Sequence, residues 1–396
     1  MLMKNSMLCS FVLLTTLCPV ANADFKLEDG DNFMSLLTVG ARHDDNISQD
    51  PKSQPKDSSA ITIVQPAILF KVGGSKATLN GAYTLTNESY EYDSKDNHTD
   101  HQLSLDSQFA LNASNKASLS FNYIKKQGIR TSINRAANDE ELGDRSRVTN
   151  LAGKYKLGAD SARAQLELNL GASNLSYLNN LDTSSQNRLK ERDMNTQGGT
   201  FYVRVAPKTR ILLEVIRTNF DYEDSESLLN NNATKYYAGV TWAATAKTSS
   251  YIRLGQESKD FDSASANDTS ETAWDINITW QPISYSRITF TTGKGANEGS
   301  ARSDVIQTTD TTLSWTHDWS YQFESMLSYN SVSEDYKGKA FNGRQDDTNT
   351  ASAALIYRMN RNVEFSGKYS LKKRASNSPV EEFDSNIVAF GVTLAI

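Results

Sequence analysis

The sequence predicts an all-β protein: one transmembrane antiparallel barrel with up-and-down connections and about eighteen strands, sixteen being the alternative count. Three observations carry that expectation. Polar and apolar residues alternate over most of the chain, the links between alternating segments are short and long by turns, and the final residues are apolar at every second position.

Leu103, Leu105, Phe109 and Leu111 alternate with Ser104, Asp106, Gln108 and Ala110, and Ala117, Leu119, Phe121 and Tyr123 with Ser118, Ser120 and Asn122. Ala164, Leu166, Leu168 and Leu170 follow the same rule against Gln165, Glu167 and Asn169, as do Trp274, Ile276, Ile278 and Trp280 against Asp275, Asn277 and Thr279. A period of two puts one apolar and one polar face on a strand. In chain order, strands are expected at about 33–43, 59–72, 76–90, 99–112, 116–127, 147–157, 162–177, 194–206, 209–222, 234–245, 248–261, 270–281, 286–295, 304–316, 320–333, 348–358, 362–374 and 384–396.

The links sort into two sets. Gly73-Gly74-Ser75, Ala113-Ser114-Asn115, Gly158 to Ser161, Pro207-Lys208, Ala246-Lys247, Pro282 to Tyr285, His317-Asp318-Trp319 and Met359 to Asn362 are tight. Residues 44–58, 128–146, 178–193, 223–233, 262–269 and 334–347 are long and polar. Outer-membrane barrels place short turns on the periplasmic side and long loops outside. A sheet can cross hydrocarbon only without edges, since every backbone N–H and C=O there needs a partner.

The apolar face is expected outward, with Tyr123, Tyr155, Trp242, Trp274, Trp280, Trp315, Tyr329, Tyr357 and Tyr369 toward the headgroup layers. On the polar phase fall Asp106, Lys154, Lys156, Glu167, Arg204, Glu214, Asp275, Arg287, Asp310, Glu324, Arg358, Glu364 and Lys368, the expected lining of the lumen. Charges at that density need water or partners, and a barrel this wide holds an aqueous channel. A long loop such as 128–146 is a candidate to fold inward. At the C-terminus, Phe390, Val392, Leu394 and Ile396 continue the apolar repeat begun by Val388, and resemble the terminal-strand signal read by the barrel-assembly machinery, with Ile396 where an aromatic is usual.

Residues 1–23 read as a cleaved secretion signal: Lys4, an apolar stretch from Met7 to Leu17, and Ala21-Asn22-Ala23 before the cut. The barrel then occupies residues 24–396, and the net charge of −6 becomes −7 once Lys4 is gone. An acidic mature chain disfavours nucleic acid as a partner. Both cysteines, Cys9 and Cys18, fall in the signal, which leaves no thiolate for metal or disulfide in the mature part.

Candidate chemistry is sparse, and no catalytic residue, cofactor or metal site is expected. His98 and His101 with Asp93, Asp96 and Asp100 have ligand-type side chains, but read more simply as a solvated loop entering a strand. His43 beside Asp44-Asp45 mimics half of an omptin-like site, and serines are too common to single out a nucleophile. Gly293-Lys294-Gly295 and Gly338-Lys339 lack the following helix that would make a phosphate loop. The acidic segments Asp44-Asp45, Asp139-Glu140-Glu141, Glu223-Asp224 and Asp346-Asp347 read as solvated loop tips, with divalent cations shared with lipopolysaccharide as a second use.

The first strand leaves as Gly40-Ala41-Arg42-His43-Asp44-Asp45-Asn46-Ile47, and a later block runs Ala82-Tyr83, Tyr90-Glu91-Tyr92, then Asn97-His98-Thr99-Asp100-His101. Both resemble the β-barrel porin type 2 family, and in layout the resemblance covers the whole mature chain. Many members sit among exopolysaccharide or capsule genes. The resemblance therefore implies an outer-membrane pore through which polysaccharide leaves, working with a periplasmic polysaccharide export protein and surrounded by outer-membrane lipid and lipopolysaccharide. No functional residue transfers with it. A general or nutrient-uptake porin and a structural or adhesin barrel are the alternatives, and gene neighbourhood separates them.

Overall fold

The computed structural model describes residues 32–130, 142–181, 187–245, 248–300, 303–338 and 343–396. The expected secretion signal and the acidic segment 139–141 lie outside the described residues. The strands are β1 (Phe33–Asp44), β2 (Ser59–Gly73), β3 (Ala77–Tyr90), β4 (His98–Asn112), β5 (Asn115–Gln127), β6 (Arg145–Leu157), β7 (Ala164–Tyr177), β8 (Arg192–Ala206) and β9 (Thr209–Tyr222). They continue as β10 (Asn231–Thr245), β11 (Thr248–Phe261), β12 (Thr269–Ile283), β13 (Ser286–Ser300), β14 (Ser303–Asp318), β15 (Phe323–Lys337), β16 (Arg344–Asn360), β17 (Val363–Ser376) and β18 (Phe383–Ala395). Each pairs antiparallel with the next, and β1 pairs with β18 over Leu36↔Ala395 to Asp44↔Ile387, so the eighteen-stranded sheet closes on itself.

Alternation sets the two faces. Leu119, Leu151, Leu168, Leu170, Leu213, Leu254 and Phe390 are exposed on the outside, where lipid would cover them. Tyr155, Trp280, Tyr329, Tyr357 and Tyr369 share that face. Pro66 interrupts β2, where the β2–β3 ladder skips Gln65 and Pro66 between Val64↔Asn87 and Ala67↔Thr84, because proline has no N–H to donate.

Several boundaries differ from the alternation, among them the end of β15 at Lys337 and the start of β16 at Arg344, and two differences are informative. His317 and Asp318 belong to β14 rather than to a turn, and the turn moves to residues 319–322. There Ser320 Oγ accepts the backbone N–H groups of Gln322 and Phe323, at 3.2 and 3.1 Å, so the serine sets the turn rather than opening the strand. The polar stretch after Gly295 is not a loop either: β13 and β14 run on to Ser300 and from Ser303. Its polar side chains meet other polar side chains of the barrel interior, a use that solvent-side alternation does not reveal.

Candidate functional site

Every charged residue expected on the lining lies on the face opposite the exposed leucines. Most are paired along the wall. Lys154 Nζ is 3.0 Å from Glu167, and Arg358 lies 2.7 Å from Glu324 and 3.3 Å from Glu364. Asp310 accepts from Asn330 at 2.6 Å. Lys156 reaches the Asp160 carboxylate at 3.2 Å, Lys116 reaches its other oxygen at 2.5 Å, and Arg204 and Arg210 donate to its carbonyl. Asp106 faces Asn80 and Ser120 across its two ladders, Arg287 faces Thr316, and Lys368 lies between Ala354 and Ala389.

The densest patch spans β8 to β12. Arg253 donates to Glu214 at 2.5 Å and to Asp275, while Thr200 and Tyr251 donate to the same two carboxylates, each at 2.9 Å. The guanidinium lies 5.2 Å from the Tyr237 ring and 5.4 Å from the Tyr251 ring, within reach of both faces. Two glycines let these groups lie flat. A Cβ on Gly239 would stand 2.3 Å from the Ile252 carbonyl oxygen, and one on Gly255 would stand 2.8 Å from Tyr237 Cδ1 and 1.8 Å from the Tyr236 carbonyl oxygen. Tyr202, Tyr222, Tyr237, Tyr251 and Tyr336 thus form an inner aromatic set. Only their parity relative to the leucines betrays it in the sequence.

Two elements fold into the mouth at the loop end. The first is 45–58, where Ile47 packs on Ile61 and Ile63 of the inner face of β2, beside Tyr90. The residues of the family-like motif hold it. Asp44 accepts from the Asn46 N–H at 2.9 Å and from Ser385 Oγ at 2.7 Å; Asp45 accepts from Asn386 N and Nδ2 at 2.7 and 2.5 Å. Asn46 donates to the carbonyls of Asp50 and Asp384 at 3.1 and 2.9 Å and accepts from the Asp50 N–H at 2.7 Å. Arg42 beneath it makes a two-pronged pair with Glu88 at 3.1 and 2.7 Å. The motif is therefore a clasp across the β1–β18 seam.

The second element is the tip of the β13–β14 hairpin. The β12–β13 ladder stops at Trp274↔Lys294, although β12 begins at Thr269 and β13 runs to Ser300. Above that rung the wall is slit, and the free edge of β13 curls inward over β9 to β12. Its outer face presses on their inner face. Glu298 pairs with Lys259, and its carboxylate also accepts from Tyr222 at 2.6 Å and Asn231 at 3.0 Å. Glu257 accepts the Ala296 N–H at 2.8 Å, and Lys337 of β15 reaches Glu271 at 2.5 Å. Lys259 is fully buried there and Val305 is only 1% exposed, so the contact is dry. The β1–β2 loop and this hairpin rise from walls about a third of the ring apart, and narrow the mouth from two sides.

The histidines of the candidate cluster are not brought together. His98 turns inward, with Nδ1 2.7 Å from the Asp96 carbonyl, whereas His101 turns outward to Tyr83 Oη at 2.8 Å. Asp93 and Asp96 both meet Arg130. No His, Cys, Asp or Glu group suited to a metal occurs among the described residues. His43 is exposed on the outer face, and its acidic neighbours belong to the seam clasp.

A family profile described as "Putative beta-barrel porin 2" matches residues 32–396. No curated protein matches the chain. Among solved structures, it is similar to OccK1 (OpdK) of Pseudomonas aeruginosa, at 10% identity and a TM-score of 0.49 over 92% of this chain and 99% of that one. It is also similar to the FrpB iron transporter from Neisseria meningitidis, at 9% identity and 0.47 over 92% and 82%, and to the siderophore receptor PirA from Acinetobacter baumannii, at 8% and 0.48 over 94% and 81%.

Proposed function

The chain belongs to the beta-barrel porin 2 family, and on that premise we propose that this outer-membrane porin-type barrel exports an exopolysaccharide or capsular polysaccharide. The single observation that supports the reading is the pairing of charge along the wall. Lys154 offsets Glu167, while Arg253 between Glu214 and Asp275 and Arg358 between Glu324 and Glu364 each offset one of two carboxylates. The rest of the lumen face is largely hydroxyl, amide and phenol, with charges of both signs such as Asp106, Arg287 and Lys368 spaced among them, so no strong field of one sign builds up. Such a wall holds a hydrated polymer by many weak hydrogen bonds, each replaceable by water, and lets it slide. A periplasmic export protein at the turn end, the barrel-assembly machinery and a cleaved signal at 1–23 belong to this proposal.

The test is a deletion strain in which cell-surface and periplasmic polysaccharide are both measured. Loss of surface polymer with continued synthesis supports export. Unchanged surface polymer, together with lost entry of a small solute, points instead to an uptake porin.

A further inference from the structure

Four cationic or titratable side chains stand on the lipid-facing side of β4 to β6, near the loop end. His101 lies opposite Lys125, and Lys125 opposite Arg147, in one row across two ladders. Arg145 lies opposite Gln127, one step closer to the loops on the same face. Their parity is that of Leu103, Leu119 and Leu151, not that of the inward Lys116, Lys154 and Asp106.

Like charges set side by side on adjacent strands repel, and the neighbours do not relieve this. Arg145 Nε donates to Gln127 Oε1 at 2.9 Å, Arg147 Nε to Ser176 Oγ at 3.1 Å, and His101 shares its hydrogen bond with Tyr83. All three partners are neutral. Among the described residues, no carboxylate pairs with Lys125, Arg145 or Arg147, whereas the inward Lys154 and Lys235 each have one. A cleft of about 230 Å³ opens here, lined in part by His101, Lys125, Gln127 and Arg145.

The next two rows toward the barrel middle are Leu103, Tyr123 and Thr149, then Leu105, Phe121 and Leu151. A cationic shelf thus sits directly above an apolar band. That order of chemistry matches a lipid whose phosphate lies above its acyl chains. Arginine and lysine together suit a phosphate monoester, which accepts several charge-assisted hydrogen bonds at once.

We propose that His101, Lys125, Arg145 and Arg147 form a binding site for the phosphorylated headgroup of lipopolysaccharide. The assignment rests on the membrane reading above, with the loop end in the outer leaflet. The acidic loop tips are not needed for it, since the cations meet the phosphate directly.

The experiment uses the refolded full barrel in detergent, titrated with lipopolysaccharide and followed by native mass spectrometry. Lys125→Gln, Arg145→Gln and Arg147→Gln are combined in one variant, and Arg217→Gln, an outward cation on β9, serves as control. Boiled and unboiled gel mobility verifies that each barrel is folded; should the triple variant fail this check, Lys125→Gln with Arg147→Gln alone takes its place. The wild type and Arg217→Gln are expected to bind alike, and the triple variant about tenfold or more weakly. Enzymatically dephosphorylated lipopolysaccharide should bind the wild type as weakly as the triple variant binds the intact lipid. Equal binding by wild type and triple variant overturns the site. So does equal binding of the dephosphorylated lipid, or full competition by phosphatidylglycerol or inorganic phosphate at the same concentration. Thiol labelling of a Ser225→Cys variant on intact cells reports orientation separately. If only that arm fails, the membrane reading is wrong while the phosphate chemistry of the shelf stands.

Discussion

Replacing Glu298 by alanine tests whether the inward hairpin sets the width of the mouth. The change removes the carboxylate paired with buried Lys259, and takes away the acceptor used by Tyr222 and Asn231. Breaking one side of a buried ion pair costs about 3–5 kcal/mol, because the other charge is left uncompensated. Here the cost falls on a local equilibrium, since β13 has no ladder to β12 above Trp274↔Lys294 and its tip can lift without unravelling the barrel. At about 1.4 kcal/mol per factor of ten, the docked-to-lifted ratio drops roughly a hundred- to several-thousand-fold. Single-channel recording in planar bilayers should show larger and noisier conductance for Glu298→Ala than for wild type. Glu298→Gln, which keeps an acceptor for Tyr222, should fall between them. The double change Glu298→Ala with Lys259→Met removes both charges and restores steady conductance, since an apolar pair docks without desolvating an ion. Identical conductance and noise for wild type and a correctly folded Glu298→Ala barrel would refute the reasoning.

Asp45→Ala strips the acceptor from Asn386 N and Nδ2 at the seam, so the temperature at which the unboiled gel form is lost should fall by an amount worth about 1–3 kcal/mol. Deleting Leu394-Ala395-Ile396 removes seam rungs and the reciprocal backbone bonds between Ser35 and Ile396, and should abolish surface levels; an equal cut within loop 128–146 should not, as immunolabelling of whole cells would show. At the turn end, the hydrogen bond from Lys116 holds the Asp160 carboxyl below its usual range, against the pull of partial burial and with help from Lys156. A carboxylate lowered on folding adds stability above its unfolded pKa, about 3.9, and loses it as pH falls through the lower folded value. Asp160 is largely exposed, so Asp160→Asn should cost at most about 1 kcal/mol at pH 7 and progressively less as the pH is lowered below about 3.9, as read by thermal melts in detergent.

The strands were legible because a barrel in lipid makes alternation nearly obligatory. Leucines at 103, 105, 119 and 151 have one place to go, and the polar phase follows. Polar residues that pack on other polar residues were not legible. Glu298 and Asn297 read as loop because nothing local tells a solvated glutamate from one that reaches Lys259 on β11, a strand that is not its neighbour. The same limit hid Tyr237 and Arg253, whose flat stacking depends on Gly255 and Gly239 one strand away. The motif Asp44-Asp45-Asn46 could be recognised as a likeness, yet its work became visible only with Ser385 and Asn386 beside it, at the far end of the chain. The cationic row was hidden for a related reason: Lys125 and Arg147 belong together only once the register pairs their strands.

The seam has a consequence for the order of events in assembly. Asp44 bonds to Ser385 across 341 residues, and the β1–β18 ladder joins the first described strand to the last. Neighbouring hairpins can form as soon as their own residues are present, but this ladder requires both termini of the barrel. Until then two strand edges remain open, each with a row of free N–H and C=O groups able to recruit a foreign strand. The loop end of that ladder carries the Asp44–Asn46 clasp, and the turn end carries the Ser35–Ile396 bonds, at 3.2 and 2.8 Å. A register slip of one residue would misalign both fastenings and turn Phe390 and Leu394 inward. Proofreading of the whole circle is thereby concentrated in its final joint, where a mispaired chain stays open and available for correction.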